Sequence, residues 1–303
     1  MKRNQPQIPE IPCPPGLQDR LLRLIYNHAL GRALIRPFTH PAISKIGGCF
    51  LDSALSRPLI PAFMRAADLD LSQCERPAGG RYRSFNQLFT RRMLPQARPF
   101  TPDPRALASP CDARLTVYPI SSRQVFHIKQ TAYRLEDLLR DPRLARRFAG
   151  GTAMVFRLCV DDYHRYAWPD GGLRAHYRKI PGILHTVNPV ANDHFPIYKE
   201  NSREYTVVRS HHFGTYLMME VGALMVGKIV NHHTGYTRLE VERGQEKGYF
   251  AFGGSTIVML FMPGVLQVDP AILKASARGE ETRVRMGQKI GESRKKEDGK
   301  PRS

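Results

Sequence analysis

The stretch "YFAFGGSTIVMLF", residues 249–261, decides how the rest of the chain is read. Residues 257–262, "IVMLFM", are apolar and partly β-branched, too short to cross a bilayer and suited to a strand buried on both faces. Ser255 opens that strand. Gly253 and Gly254 give the backbone access to conformations closed to other residues, and they leave the Gly254 carbonyl without flanking side chains. On spacing alone, a β-bulge or tight turn is the simpler account of Gly-Gly-Ser.

Upstream of this strand, from about residue 100, strand signals dominate: "LTVYPI" (115–120), "AMVFRLCV" (153–160), "YTVVRS" (205–210) and "YLMMEVGALMVGKIV" (216–230). One helix, "RLEDLLRDPRLARRF", interrupts them. Between residue 16 and about residue 95 the pattern is helical, and "FNQLFTRRM" (85–93) is its last amphipathic segment before the prolines of "LPQARPFTPDP" break it. Residues 1–15 read as a flexible, proline-rich arm and residues 293–303 as a disordered basic tail. The expectation is an α+β protein, with an N-terminal helical region over 16–100 followed by a β-rich, sandwich-like core over 101–292. "VERGQEKGYF" from Val241 and "VRMGQKIGES" from Val284 share V-x-x-G-Q-x-x-G, each reading as strand, turn, strand. Two related halves of a folded-over sandwich, or coincident turn chemistry, explain that match about equally.

The 303 residues carry 46 Lys plus Arg against 27 Asp plus Glu, a formal charge of +19, so the chain's partner is expected to be anionic. Acidic lipid and nucleic acid both qualify. The basic residues are dispersed, without the basic helix or aromatic-studded basic strand of a nucleic-acid binder, which argues for the lipid. Five cysteines without CxxC pairing argue against a disulfide framework and a structural zinc site, so no metal is expected. No apolar run reaches transmembrane length, and the N-terminus lacks the apolar core of a secretory signal. Residues 17–36 place Leu17, Leu21, Leu24 and Ile25 on one helical face among several arginines. That helix suits either a membrane surface or its own domain. A peripheral protein on the cytoplasmic side of a membrane is the resulting expectation.

Three clusters embed polar residues in apolar, strand-like sequence, where burial is costly unless the groups are used or satisfied. They are "ASPCDARLTVY" (108–118), "FRLCVDDYHRYAWPDGG" (156–172) and "LHTVNPVANDHFPIYKENSREY" (184–205). They supply Asp112, Asp162, His164, His185 and Asn188. Each has an ordinary structural explanation when taken singly, and their combination is what points to chemistry.

The motifs "FNQLFTRRMLPQARPF", "SPCDARLTV", "DDYHRYAWPDGG", "HTVNP", "KENSRE", "VGALMVG" and "FGGST" occur in the order found in the phosphatidylserine decarboxylase family, which the chain resembles from about residue 20 to 291. The resemblance implies that Ser255 is the precursor of a covalent pyruvoyl group. Its Oγ would attack the Gly254 carbonyl, and elimination would leave a large chain, 1–254, and a small chain, 255–303. The pyruvoyl ketone would then take the amine of phosphatidylserine and accept the electrons released with CO2, giving phosphatidylethanolamine. His164 is the first candidate for the proton transfers, and Asp112 matches the family aspartate. Position 167, where the family carries a second histidine completing a relay, is Ala167 here. Either His164 serves both steps, or His185 or His194 supplies the missing imidazole, or cleavage is impaired. Arg165, Lys199 and Arg203 are candidate partners for the substrate carboxylate or phosphate. A homodimer is expected by family analogy. The alternatives are a cationic membrane- or nucleic-acid-binding protein that keeps the fold without chemistry, and a pyruvoyl enzyme acting on a soluble amino acid.

Overall fold

The computed structural model describes Tyr26, His28, Gly31 and Ile35, and residues 39–128, 131–186, 195–223, 228–235, 238–251 and 255–294. Helix α1 (Pro41–Asp52) starts on a proline, whose missing N–H would have had no intrahelical partner, and is capped by His40, whose Nδ1 accepts from Ala42 N at 3.2 Å. A 3-10 turn (Ala54–Ser56) leads into α2 (Leu59–Ala66), and Ser84 caps α3 (Phe85–Phe89) by accepting from Gln87 N at 3.2 Å. Leu51, Phe85 and Phe89 hold the three helices together, with Ile60 and Phe63 against them and the Phe63 ring edge-on to Phe85 at 4.9 Å. Residues 67–84, expected to be helical, are irregular because Gly79 and Gly80 both take positive φ just after Pro77. Within 17–36, Tyr26 is helical and fully buried, its ring edge-on to Phe195 at 6.2 Å. Ile35 is also helical and packs against the same core, while Leu17, Leu21, Leu24, Ile25 and the arginines of that stretch, the 1–15 arm and the tail from residue 295 lie outside the described residues.

The β-rich part runs β1 (Ala106–Ala108), β2 (Ala113–Pro119), β3 (Val125–Ile128), β4 (Thr131–Arg134), α4 (Leu135–Leu139), α5 (Pro142–Arg146) and β5 (Thr152–Leu158). It continues as β6 (Arg165–Ala167), β7 (Gly172–Ile180), α6 (Ile197–Glu200), β8 (Arg203–Ser210), β9 (Thr215–Val221), β10 (Ile229–Asn231), β11 (Leu239–Val241) and β12 (Glu246–Phe250). The last elements are β13 (Ser255–Phe261), β14 (Leu266–Val268), α7 (Pro270–Ala277), β15 (Thr282–Val284) and β16 (Lys289–Ser293). The single helix expected over 134–148 is two, because Arg140 takes a left-handed φ of 51° and Asp141 then caps a new helix that begins on Pro142. Ser293, expected to begin the tail, instead ends β16.

The described strands form an eight-stranded sheet, β11-β7-β8-β9-β13-β5-β2-β15, two three-stranded sheets, β1-β16-β14 and β10-β12-β6, and the β3-β4 hairpin. β13 lies between β5 and β9 with every residue buried, which explains its unbroken apolar run.

The repeated V-x-x-G-Q-x-x-G marks an internal duplication. In each copy an edge strand of the large sheet, β11 or β15, turns into a strand of a small sheet, β12 or β16. Glu242 N donates to Gln245 Oε1 and Arg285 N to Gln288 Oε1, both at 3.0 Å, and Gly244 and Gly287 take φ of 81° and 82°. Both turns dock alike. Gly244 N donates to Trp168 O at 2.9 Å and Trp168 N to Gln245 O at 3.0 Å; Gly287 N donates to Ser109 O at 2.9 Å and Ser109 N to Gln288 O at 2.8 Å. The relation extends to β1 and β6, β2 and β7, β5 and β8, β14 and β10, and, side by side in the middle of the large sheet, β13 and β9. The halves are nested: the chain lays down β1, β2 and β5, runs through all of β6–β12, and only then returns as β13–β16.

Candidate active site

Ser255 begins β13 opposite Leu158, the last residue of β5, and Thr256 lies opposite Val221, the last residue of β9. The ends of the two flanking strands therefore meet at position 255; the chain beyond β5 carries His164, and a segment hydrogen-bonded beside the end of β9 carries His185. Ser255 is fully buried and its Oγ has no hydrogen-bond partner among the described residues. A buried hydroxyl without a partner costs free energy that a purely structural position would have avoided. Phe252, Gly253 and Gly254 lie outside the described residues.

On the β5 side, Cys159 follows Leu158, and its carbonyl meets His164 Nε2 at 2.9 Å. A carbonyl only accepts, so Nε2 carries the proton and Nδ1 keeps the lone pair. That Nδ1 is buried and has no partner among the described residues. Phe89 of α3 stacks over the imidazole at 4.0 Å, and Phe250 N, at the end of β12, donates to the His164 carbonyl at 3.0 Å. Burial, with the neighbouring Arg91 cation, depresses the His164 pKa to about 3, so the ring is neutral at working pH.

On the β9 side, Asn201 joins two segments. Its Oδ1 accepts from His185 N at 3.0 Å, and its Nδ2 donates to His185 O and to Gly222 O, each at 2.8 Å. Gly222 follows Val221, so the bond sets His185 beside the start of β13. The His185 ring stacks on Phe195 at 4.3 Å, its Nδ1 has no partner among the described residues, and burial lowers its pKa. His194 and Asn188 lie outside the described residues.

Among the described residues, no histidine is hydrogen-bonded to Asp112. Arg98 clamps it in a fork, with Nε at 2.8 Å from Oδ1 and Nη2 at 2.6 Å from Oδ2, and Met286 N donates to Oδ1 at 2.8 Å. Ala167, where the family histidine would stand, donates its N–H to Pro110 O at 2.9 Å, which places it beside the Asp112 segment with only a methyl to offer. The three basic candidates are all engaged. Arg165 pairs with Glu246 at 2.8 Å and lies over the Tyr249 ring at 4.8 Å. Arg203 is buried, donates to the carbonyls of Asp137, Leu138, Lys199 and Asn201, and has its pKa lowered by burial to about 10. Lys199 lies 3.7 Å from Asp137 near the surface.

Four further residues bear on the site. Glu220 pairs across the sheet with Ile257, so it shares a face with Ser255 two residues along, a diagonal that a long side chain spans. Its Oε1 is also buried without a partner among the described residues, while Oε2 accepts from Lys247 Nζ at 2.7 Å. Lys247, itself buried, lies over Trp168 at 5.2 Å and donates to Asn231 Oδ1 at 2.6 Å. Asp162 accepts from Cys159 N at 2.7 Å, and burial raises its pKa to about 6. Arg91 is buried beside His164. Asp162 already stood out in the sequence within "DDYHRY"; of the other three, Glu220 left a signal as a lone glutamate inside "YLMMEV", while Lys247 and Arg91 depend on contacts between distant segments. The thiol of Cys159, close to Asp161 and Asp162, accepts from Arg114 and Arg157, each at 3.2 Å, and those two cations oppose a metal ion there.

The family model described as phosphatidylserine decarboxylase matches residues 85–292. Phosphatidylserine decarboxylase proenzyme 2 of Clostridium acetobutylicum is 41% identical over 273 residues, 90% of this chain and 91% of that protein. The phosphatidylserine decarboxylase proenzyme of Clostridium perfringens is 37% identical over 269 residues, 88% of this chain and 90% of that protein. The proenzyme of Chlamydia pneumoniae is 37% identical over 286 residues, 93% of this chain and 94% of that protein. With its nested β-sheet halves, a buried serine at the head of the central strand whose Oγ has no partner among the described residues, and these relatives along nearly its whole length, the chain belongs to the phosphatidylserine decarboxylase family.

Proposed function

We propose that this chain is a carboxy-lyase that converts phosphatidylserine to phosphatidylethanolamine, using a pyruvoyl group it makes by severing itself between Gly254 and Ser255. The observation that carries the reading is the buried, partnerless Ser255 Oγ, placed where the segments of His164 and His185 meet. In the first step Oγ bonds to the Gly254 carbonyl carbon and passes its proton to a neighbouring base, and the Gly254–Ser255 C–N bond breaks as the amine takes a proton. Removal of the Cα proton then eliminates the Gly254 carboxylate, and water replaces nitrogen, released as ammonia, to leave the pyruvoyl carbonyl. His164 Nδ1 suits the base because the Cys159 carbonyl fixes the opposite nitrogen as N–H. His185 Nδ1 is the second imidazole and fills the role left open by Ala167.

Once formed, the pyruvoyl carbonyl supplies an electron sink for the pair left by CO2. The chain's own residues bind and shield around it. Phe89 and Phe195 cover the two imidazoles and keep water from them, which favours loss of a carboxylate as neutral CO2. Neutral His164 holds a proton at Nε2 and a vacant lone pair at Nδ1, so it can relay a proton without carrying charge at rest.

A membrane is the expected location of the substrate. None of the described helices is long and apolar enough to cross one. The α1–α2 region instead exposes Ile46 and Leu55, at 68% and 77%, with Ile43, Phe50 and Leu59 near them and Lys45, Arg57 and Arg65 interspersed. Apolar side chains among cations on a strongly basic protein suit an anionic bilayer surface.

Intact-mass measurement of purified protein tests the chemistry. The expected result is two fragments meeting at 254/255, with the smaller blocked at its N-terminus, and one full-length species for Ser255→Ala. One full-length species in both samples would instead favour a cationic binding protein without chemistry.

A further inference from the structure

We propose that Arg91 is the receptor for the phosphodiester oxygens of the substrate headgroup, an assignment that rests on the decarboxylase reading above. Arg91 follows α3, two residues after the Phe89 that stacks on His164, and is only 5% exposed. Its Nε and Nη1 are buried and have no hydrogen-bond partner among the described residues, and no acidic side chain there forms an ion pair with it. The contrast with nearby arginines is sharp, since Arg98 is held by Asp112 and Arg165 by Glu246. A guanidinium cannot shed its proton, so a buried and unpaired one is expensive unless an anion arrives from outside the chain. Its planar fork matches the paired oxygens of a phosphate or carboxylate.

Two features select the phosphodiester. The carboxylate must depart as neutral CO2, and a cation seated on it would stabilise the ground state more than the transition state. Arg91 also follows α3, which packs against the region that exposes Ile46 and Leu55, and the phosphodiester is the headgroup anion nearest the acyl chains. An anion on Arg91 has a second effect, because that cation's field helps hold the His164 imidazole unprotonated. Neutralising it makes His164 a better proton carrier when substrate is present.

The test uses full-length Ser255→Ala protein, which needs no cleavage, and calorimetric titration with glycerophosphoserine and with serine. Arg91→Met is expected to weaken glycerophosphoserine binding roughly 10- to 100-fold, the loss of a charge-assisted contact, and to leave the weaker serine binding unchanged. Arg91→Lys should fall between. An unchanged glycerophosphoserine affinity, or an equal loss for both ligands, overturns the assignment. Arg91→Met should also melt at or above the parent temperature without ligand, because it removes an uncompensated buried cation. A lower melting temperature would mean that the chain itself pairs Arg91, and would overturn the proposal too. Failure here leaves the mass test of self-cleavage untouched, so the two ideas fail separately.

Discussion

Replacing Lys247 with methionine tests the buried charges beneath the site. Lys247 and Glu220 are 3% and 0% exposed in their side chains and 2.7 Å apart, and Asn231 donates to Glu220 Oε2 at 3.1 Å while accepting from Lys247. Removing the cation leaves a buried carboxylate with one amide as its remaining donor among the described residues, a loss of about 3–5 kcal/mol. With a urea slope near 3 kcal/mol/M for a protein of this size, the unfolding midpoint should fall by about 1–1.7 M. Urea melts followed by tryptophan fluorescence and far-UV circular dichroism, in the uncleaved Ser255→Ala chain, measure this on a single polypeptide. Adding Glu220→Gln should restore most of the loss, because a neutral amide can still bond Asn231 and no charge is stranded. The penalty should also shrink in acid, where the stranded carboxyl protonates. A single variant that loses less than about 1 kcal/mol, or a double variant as weak as the single, would refute the reasoning.

His164 and Asp162 should tilt the stability curve in opposite directions. His164 is depressed from 6.5 to about 3, so its contribution is whole above pH 6.5 and drains away as pH falls through that range; His164→Phe should flatten this acid limb in denaturant melts. Asp162 is raised from 3.8 to about 6, so its contribution is whole below 3.8 and lost by the time pH passes 6; Asp162→Asn should gain on the parent across that interval and hold the gain above it. Asn201→Ala removes three buried hydrogen bonds and should cost about 3 kcal/mol in the same melts, with slower cleavage at 254/255 read by denaturing gel as His185 loosens. Gly287→Ala would set a Cβ 2.5 Å from the Pro99 carbonyl at a φ of 82°, whereas Gly264→Ala, at a φ of 75°, meets nothing within 4 Å. The first should therefore lower the melting temperature clearly more than the second.

Local chemistry was legible in the sequence and long-range pairing was not. The apolar run after Ser255 announced a doubly buried strand, and the two Gly-Gln turns were legible as matching turns, with related halves as one of two equal accounts, because a positive φ and a side-chain closure are decided within four residues. Arg140 defeated the reading of a single helix: nothing in "LLRDPR" required a left-handed arginine, although Pro142 was a warning. Asp112 looked like a relay member, and only the fold shows Arg98 claiming both its oxygens. Arg203 looked like a ligand for substrate, yet four carbonyls take up its donors. The Glu220–Lys247 pair joins β9 of the large sheet to β12 of a small one, a contact made only when the two sheets pack together.

The nesting of one half inside the other sets a clock. Leu158 and Ser255 face each other across the central ladder, yet the chain must complete the whole inserted half before the second can meet the first. Such distant pairing forms late in folding. Under the cleavage proposed above, the bond at the head of β13 would be inert in the nascent chain and armed only when the molecule is finished. Cleavage as proposed would leave the short piece as β13–β16 and α7, with β13 locked between β5 and β9, so unfolding the mature molecule would turn a unimolecular return into a meeting of two chains, and activity lost to denaturant should come back poorly on dilution.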